Sequence, residues 1–307
     1  MPNPLLMAAS RSTRTRRLIS AAPVTRGVVD RFVAGEQVDD ALAATRRLVG
    51  EGLHVSLDHL GEDTGTTAQA DAITAAYLTV LGRLADAGLA GRAEVSLKLS
   101  ALGQSLPDGD RLALEAARRV CTAAAAAGTT VSVDMEDSTT VDATLSTVAA
   151  LRADFPWVGA VLQSCLRRTE SDCRDLSGTG SRIRLVKGAY AEPSAVAFTD
   201  KAEVDASYAR CLQVLVAGEG YPMVATHDPA LIARTEELVA EHDRLPASYE
   251  FQMLYGIRVP EQHRIAASGR TMRVYVPYGD DWYGYFMRRL AERPANVAFF
   301  LRSFVSR

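Results

Sequence analysis

Lys98 stands where a lysine is costly. In the run VSLKLSALG (95–103) it is flanked by Leu97 and Leu99, and the two-residue period of a strand puts Ser96, Lys98 and Ser100 on one face. A buried ammonium needs a partner. The run VSVDMED (131–137) offers one in Asp134, with Glu136 on the same face. Two readings of this pair stay open: a structural ion pair tying two strands, or part of a site.

Further polar groups end other β-rich runs. VLQSCL closes on Gln163 and Ser164. RLVKGAY carries Arg184 and Lys187, then Gly188 and Ala189 at a strand-to-helix turn. Small residues there let backbone N–H groups approach an anion such as phosphate, although the glycine alone is also explained by the turn. MVATHDP ends in Thr226, His227, Asp228 and Pro229. A lone histidine is more often structural than a ligand, and no second one shares its face. His54 and His59 are five apart on a strand and point to opposite faces, so no metal site is expected.

The last helical pattern, DWYGYFMRRLAERPANVAFF (281–300), is the most specific. Tyr285, Arg288, Arg289 and Glu292 fall at i, i+3, i+4 and i+7 and share one face. Taken alone, that is a solvated face with an Arg288–Glu292 pair. Its position directly after the last β-rich run places the start of the helix over a pocket mouth, where adjacent arginines and Lys98 could together chelate one carboxylate. Charge-assisted bonds contribute about 1.5–3 kcal/mol each, enough to hold a small amino or hydroxy acid. Three clustered cations repel one another, and Asp134 and Glu292 are the expected compensating anions.

From residue 53 onward, short β-rich runs alternate with longer helical patterns. Eight runs are read: His54–Leu60, Glu94–Leu99, Thr130–Met135, Gly159–Leu162, Ile183–Lys187, Met223–Thr226, Tyr249–Leu254 and Thr271–Val276. Eight βα units at this length predict an α/β fold, a (β/α)8 TIM-type barrel, with a doubly wound sheet as the alternative. The polar groups above then gather at the C-terminal strand ends, where such barrels place their chemistry. The predicted division is a helical N-terminal arm over 1–50 and a barrel over 51–307. The alanine run Ala123–Ala127 reads as a helix that Gly128 ends.

The chain has 307 residues, 34 basic and 37 acidic, for a formal charge of −3. That balance supplies no field for nucleic acid. Four scattered cysteines form no C-x-x-C pair, which argues against a disulfide scaffold or zinc module. No apolar run approaches the roughly 20 residues a spanning helix needs, so any membrane contact is expected to be peripheral. Arg14, Arg16 and Arg17 before an apolar stretch faintly resemble an export signal, but Pro23 and Arg26 cut the stretch short.

The runs VSLKLSALG, VSVDMED, LQSCLRRT, RLVKGAY, ATHDP, YEFQMLYGIR, VYVPYG and YGYFMRRLAERPANVAFFLRSF, in this order, resemble the flavin-dependent proline dehydrogenase family, most closely its short monofunctional bacterial members. The resemblance runs from about His54 to Arg302. It implies a distorted (β/α)8 barrel that binds FAD and oxidises L-proline to Δ1-pyrroline-5-carboxylate by hydride transfer, the first step of proline degradation to glutamate. Electrons would pass to a quinone at the cytoplasmic face of the inner membrane. Lys98, Arg288 and Arg289 match the residues that hold the substrate carboxylate, Asp134 the active-site aspartate, and Arg184 the arginine near the reactive flavin nitrogen. Met135, Gln163, Arg184, Lys187, Gly188, Ala189, Thr226 and His227 match flavin contacts. Tyr275, Tyr285 and Leu254 match the walls of the proline ring, and Glu292 a glutamate that pairs with a basic residue.

Other readings are a flavin-dependent folate reductase, which gives the doubled arginine no purpose, a metal-dependent lyase, which lacks a ligand set, and a flavin-free binding barrel. A bifunctional relative needs an aldehyde dehydrogenase domain, for which 307 residues leave no room. The expectation is therefore the first oxidation only, with a separate pyrroline-5-carboxylate dehydrogenase downstream.

Overall fold

A computed structural model describes residues 29–62 and 64–292, apart from the side chains of 290–292. The arginines of the export-like stretch and the side chain of Glu292 lie outside these residues. Eight strands, β1 (His54–His59), β2 (Ala93–Leu97), β3 (Val131–Val133), β4 (Gly159–Gln163), β5 (Arg182–Val186), β6 (Tyr221–Ala225), β7 (Glu250–Leu254) and β8 (Met272–Tyr278), follow the eight β-rich runs in order. All pair in parallel, and β8 pairs back onto β1 with Val55 opposite Val274, which closes the barrel and excludes the open sheet.

Between the strands run α2 (Thr67–Asp86), α3 (Gly109–Ala127), α4 (Val141–Arg152), α5 (Thr169–Leu176), α6 (Lys201–Ala217), α7 (Pro229–Glu241) and α8 (Val259–Ala267). Their ends follow local chemistry. Gly128 ends α3 at φ +74°, a left-handed conformation that glycine adopts without strain, and the next N–H, of Thr129, reaches back to the Ala124 carbonyl. Asp200 caps α6 through the N–H groups of Ala202 and Glu203. Asp228 caps α7 with Pro229 in its first turn.

Before the barrel, α1 (Val38–Gly50) packs against both β1 and β8, burying Leu42 and Leu48. It lies along the seam where the barrel closes. After the barrel, α9 (Trp282–Glu292) forms a separate apolar cluster in which Phe286 and Met287 pack with Phe32, Val33 and Leu60. Leu60 follows the C-terminal end of β1, so α9 lies over the mouth of the barrel. None of the described helices is long and apolar enough to cross a membrane.

Strand alternation separates two interiors. Val55, Leu57, Val95, Leu97, Ile183 and Val274 point outward into the main apolar core under the helices. The residues that alternate with them point into the lumen, and many are polar or charged, Ser56, Glu94, Ser96, Arg184, Glu250 and Arg273 among them.

Candidate active site

The lumen is filled from the bottom by a buried ionic lattice where branched aliphatic side chains are usual. Glu94 on β2 accepts from Thr130 and pairs with Arg182 at 2.8 Å, and Glu250 on β7 holds Arg273 at 2.7 and 3.0 Å. Burial acts to raise the Glu94 carboxyl, but Arg273, Arg182 and Arg184 outweigh it and hold the group ionised far below the carboxylate range. His54, at the start of β1, is pushed down to about 4 by burial and by Arg273.

One layer higher, Arg184 is 3% exposed and held from four sides. Its Nε donates to Gln252 Oε1 at 2.6 Å, Nη1 to Asp134 Oδ1 at 2.7 Å and Ser96 Oγ at 2.8 Å, and Nη2 to Ser56 Oγ at 3.2 Å. Tyr275 donates to Asp134 Oδ2 at 2.7 Å, and the Arg184 guanidinium sits 5.4 Å from the centre of its ring. Burial, with Asp134 and Asp58 close by, drives the Tyr275 hydroxyl well above its usual value, so it remains a donor.

At the strand ends, Lys98 Nζ lies 3.0 and 2.8 Å from the two oxygens of Asp58, and 3.8 Å from Asp134. Burial opposes its charge, but Asp58, Asp134 and Glu62 together raise its pKa, so Lys98 stays an ammonium. Arg288 on α9 forms two parallel bonds with Glu62, at 3.0 and 2.6 Å. Although burial pushes the Glu62 carboxyl up, Lys98 and Arg288 bring it below its usual value. Both cations thus act on one carboxylate, Glu62, which Arg288 binds directly. The Tyr190 hydroxyl is raised by burial and by Glu62 and Glu136. Arg289, 8% exposed, stacks over the Tyr285 ring at 5.0 Å.

A second polar group lies across the ends of β4, β5 and β6. Gln163 Nε2 donates to the Glu136 carbonyl at 2.7 Å, and the Thr226 hydroxyl accepts from the Asp228 N–H at 3.1 Å. His227 Nε2 accepts from the Leu254 N–H at 3.0 Å, joining the ends of β6 and β7. Lys187 bridges Asp205 and Asp228, at 2.5 and 2.9 Å. Gly188 has φ +109°, and a Cβ there would lie 2.3 Å from Cys165 Sγ. Met135 packs with Val161 and Cys165 beneath this turn.

The sequence profile of the family described as Proline dehydrogenase matches residues 41–302. Proline dehydrogenase 1 of Bacillus subtilis (strain 168) is 40% identical over 284 residues, covering 92% of each chain. The chain belongs to the proline dehydrogenase family. The Proline dehydrogenase of Deinococcus radiodurans is 42% identical over 276 residues, covering 89% of this chain and 88% of that one. Among solved structures, proline utilization A from Bdellovibrio bacteriovorus, inactivated by N-propargylglycine, superposes with a TM-score of 0.80 at 26% identity, over 87% of this chain and 33% of that one.

Against the proline dehydrogenase expectations, the structure assembles Lys98, Asp134, Arg184 and Tyr275 into one hydrogen-bonded group and brings Arg288 to its edge. It corrects the charge partners. The near partner of Lys98 is Asp58 from the neighbouring strand β1, because Asp134 on the other neighbour, β3, is taken up more closely by Arg184 and Tyr275. Glu136 accepts from the Ser100 N–H and hydroxyl instead of joining the lysine. Glu62 pairs with Arg288, a compensating anion not expected from the sequence; the expected Glu292 lies outside the described side chains. Lys187 is taken up by two carboxylates, which a phosphate would have to displace, and Gly188 is explained by its approach to Cys165. Asp58, Glu62, Tyr190, Gln252, Glu94, Glu250 and Arg273 were not singled out. Asp58 and Glu94 carried a signal, since each stands two positions from Ser56 or Ser96 and so shares a strand face with it.

Proposed function

We propose that the protein is an FAD-dependent L-proline dehydrogenase that forms Δ1-pyrroline-5-carboxylate and delivers electrons to a quinone. The observation that carries this is that Lys98 joins the buried Arg184–Asp134–Tyr275 group while Arg288, on the helix over the barrel mouth, shares with Lys98 its action on Glu62. A small carboxylate is the ligand whose charge and size suit two cations there, with Arg289 beside them.

The donor set fits a flavin. A fixed buried cation, Arg184, lies under the pocket, and polar groups at three adjacent strand ends can bind a polar cofactor. Met135, Gln163, Lys187, Gly188, Ala189, Thr226 and His227 would hold it. When bound, FAD supplies the two-electron acceptor and the protein supplies orientation and electrostatics.

Substrate oxidation then divides among this chain's residues. Lys98, Arg288 and Arg289 bind the proline carboxylate and fix the ring. Tyr275, Tyr285 and Leu254 wall the ring and exclude water. Arg184 stabilises negative charge that accumulates beside it on reduction. Both Asp134 oxygens already accept hydrogen bonds, so we assign it to positioning Arg184, Tyr275 and Lys98, not to removing a proton. The quinone acceptor, a peripheral contact with the cytoplasmic membrane face and a separate dehydrogenase for the product rest on the family resemblance.

The test is an anaerobic titration. The purified protein should be yellow, and L-proline should bleach the flavin absorbance. A colourless protein, or a yellow one that proline leaves oxidised, would overturn the proposal.

A further inference from the structure

We propose that Gln252 is a positioning residue that sets the flavin potential through Arg184. This rests on the flavin reading above. Arg184 and Gln252 are 68 positions apart in sequence, and the bond between Arg184 Nε and Gln252 Oε1, at 2.6 Å, is the shortest Arg184 makes. The amide cannot turn over, because its Nε2 donates to Glu250 Oε1 at 2.5 Å and Glu250 is itself gripped by Arg273 through two bonds. Reversed, the amide would aim an N–H at a guanidinium and an oxygen at a carboxylate. Glu250 is held in its ionised form: burial opposes the charge, and Arg273 overcomes it. The orientation of Gln252 is thus dictated from the barrel floor.

The other partners of Arg184 do not fix it in the same way. Ser56, Ser96 and Asp134 bind the two Nη atoms: Ser56 Oγ donates in turn to Glu94, Ser96 Oγ to Asp134, and the other Asp134 oxygen accepts from Tyr275. Only Gln252 binds Nε, and the Nε–H direction defines the plane of the guanidinium. Loss of that bond lets the plane tilt and moves positive charge away from the site of reduction. A cation near a flavin favours the reduced, more negative form, so loosening it lowers the potential.

The decisive measurement is the flavin midpoint potential of the holoenzyme by anaerobic dye titration. Gln252→Met keeps the side-chain volume and removes both hydrogen bonds. We expect the oxidised-to-reduced equilibrium to shift at least tenfold toward oxidised, about 30 mV for a two-electron couple. The proline KM should stay within twofold, since the carboxylate clamp is untouched, while flavin reduction by proline slows. Should that variant not fold, Gln252→Leu serves instead. It too removes both hydrogen bonds without adding a charge, and the same downward shift is expected. A shift in that equilibrium of less than tenfold, under about 30 mV, in the folded variant, with Arg184→Ala shifting it further, would overturn the role of Gln252 and leave the dehydrogenase reading standing. A wild-type protein that binds no flavin would overturn that reading itself.

Discussion

Arg288 and Glu62 grip each other through two parallel hydrogen bonds, Nη1 to Oε2 at 3.0 Å and Nη2 to Oε1 at 2.6 Å. A guanidinium has five N–H groups, so this grip leaves three for a substrate while fixing the direction in which they point. Neutralising Glu62 raises the local positive potential but frees a long side chain, and holding a side chain in its bound conformation is worth about 0.5–1.5 kcal/mol. We expect orientation to win. Glu62→Gln should raise the proline KM several-fold with kcat within twofold. Steady-state kinetics that show a lower KM would reverse the argument.

The two arginines of α9 should each matter to binding. Arg288→Met or Arg289→Met removes a charge-assisted bond worth at least about 1.5 kcal/mol, or roughly tenfold in KM. A KM within twofold of wild type in either variant would remove that residue from the clamp.

Arg184 links function to stability. Arg184→Ala leaves Asp134 and Glu94 short of a cation inside the barrel, and breaking a buried pair costs about 3–5 kcal/mol. We expect a lower thermal midpoint together with weaker flavin retention or slower single-turnover flavin reduction. Full flavin occupancy with unchanged reduction would sink the assignment, whatever the midpoint does.

Acid should destabilise the fold through His54. Its pKa falls from about 6.5 in the unfolded chain to about 4 in the barrel, because burial and Arg273 oppose its charge. Above pH 6.5 both states are neutral there. Between 6.5 and 4 only the unfolded chain binds the proton, so stability drops as pH falls, by on the order of 3 kcal/mol over the window. His54→Gln should lose less between pH 7 and pH 5 than wild type. Parallel losses in thermal midpoint would show that other groups carry the effect.

Gly188 is held by two constraints that can be separated. Gly188→Ala strains a backbone at φ +109° and drives a methyl into Cys165 Sγ, each costing about 1–3 kcal/mol. The double variant with Cys165→Ala should recover the steric part and not the backbone part. Thermal midpoints that fail to show partial recovery would mean that Cys165 is not the obstacle.

The sequence by itself determined the strand order, the approximate bounds of all eight strands and the helix end at Gly128, and it marked Lys98, Asp134, Arg184 and Arg288 as polar groups to be explained, whereas Tyr275 came from the family resemblance. These are local facts: a two-residue period, a left-handed glycine, a polar group beside a strand end. Tertiary structure alone decided the charge partners. Glu94 and Ser96 share a strand face in any sheet, but only barrel closure makes that face a lumen in which Arg184 reaches Ser96 across 88 positions and Ser56 across 128. Asp58 lies closer to Lys98 than Asp134 does, and Glu62, not named among the expected anions, pairs with Arg288. Ion pairing depends on distance in space, and residues 40 and 226 positions apart leave no local pattern by which to find each other.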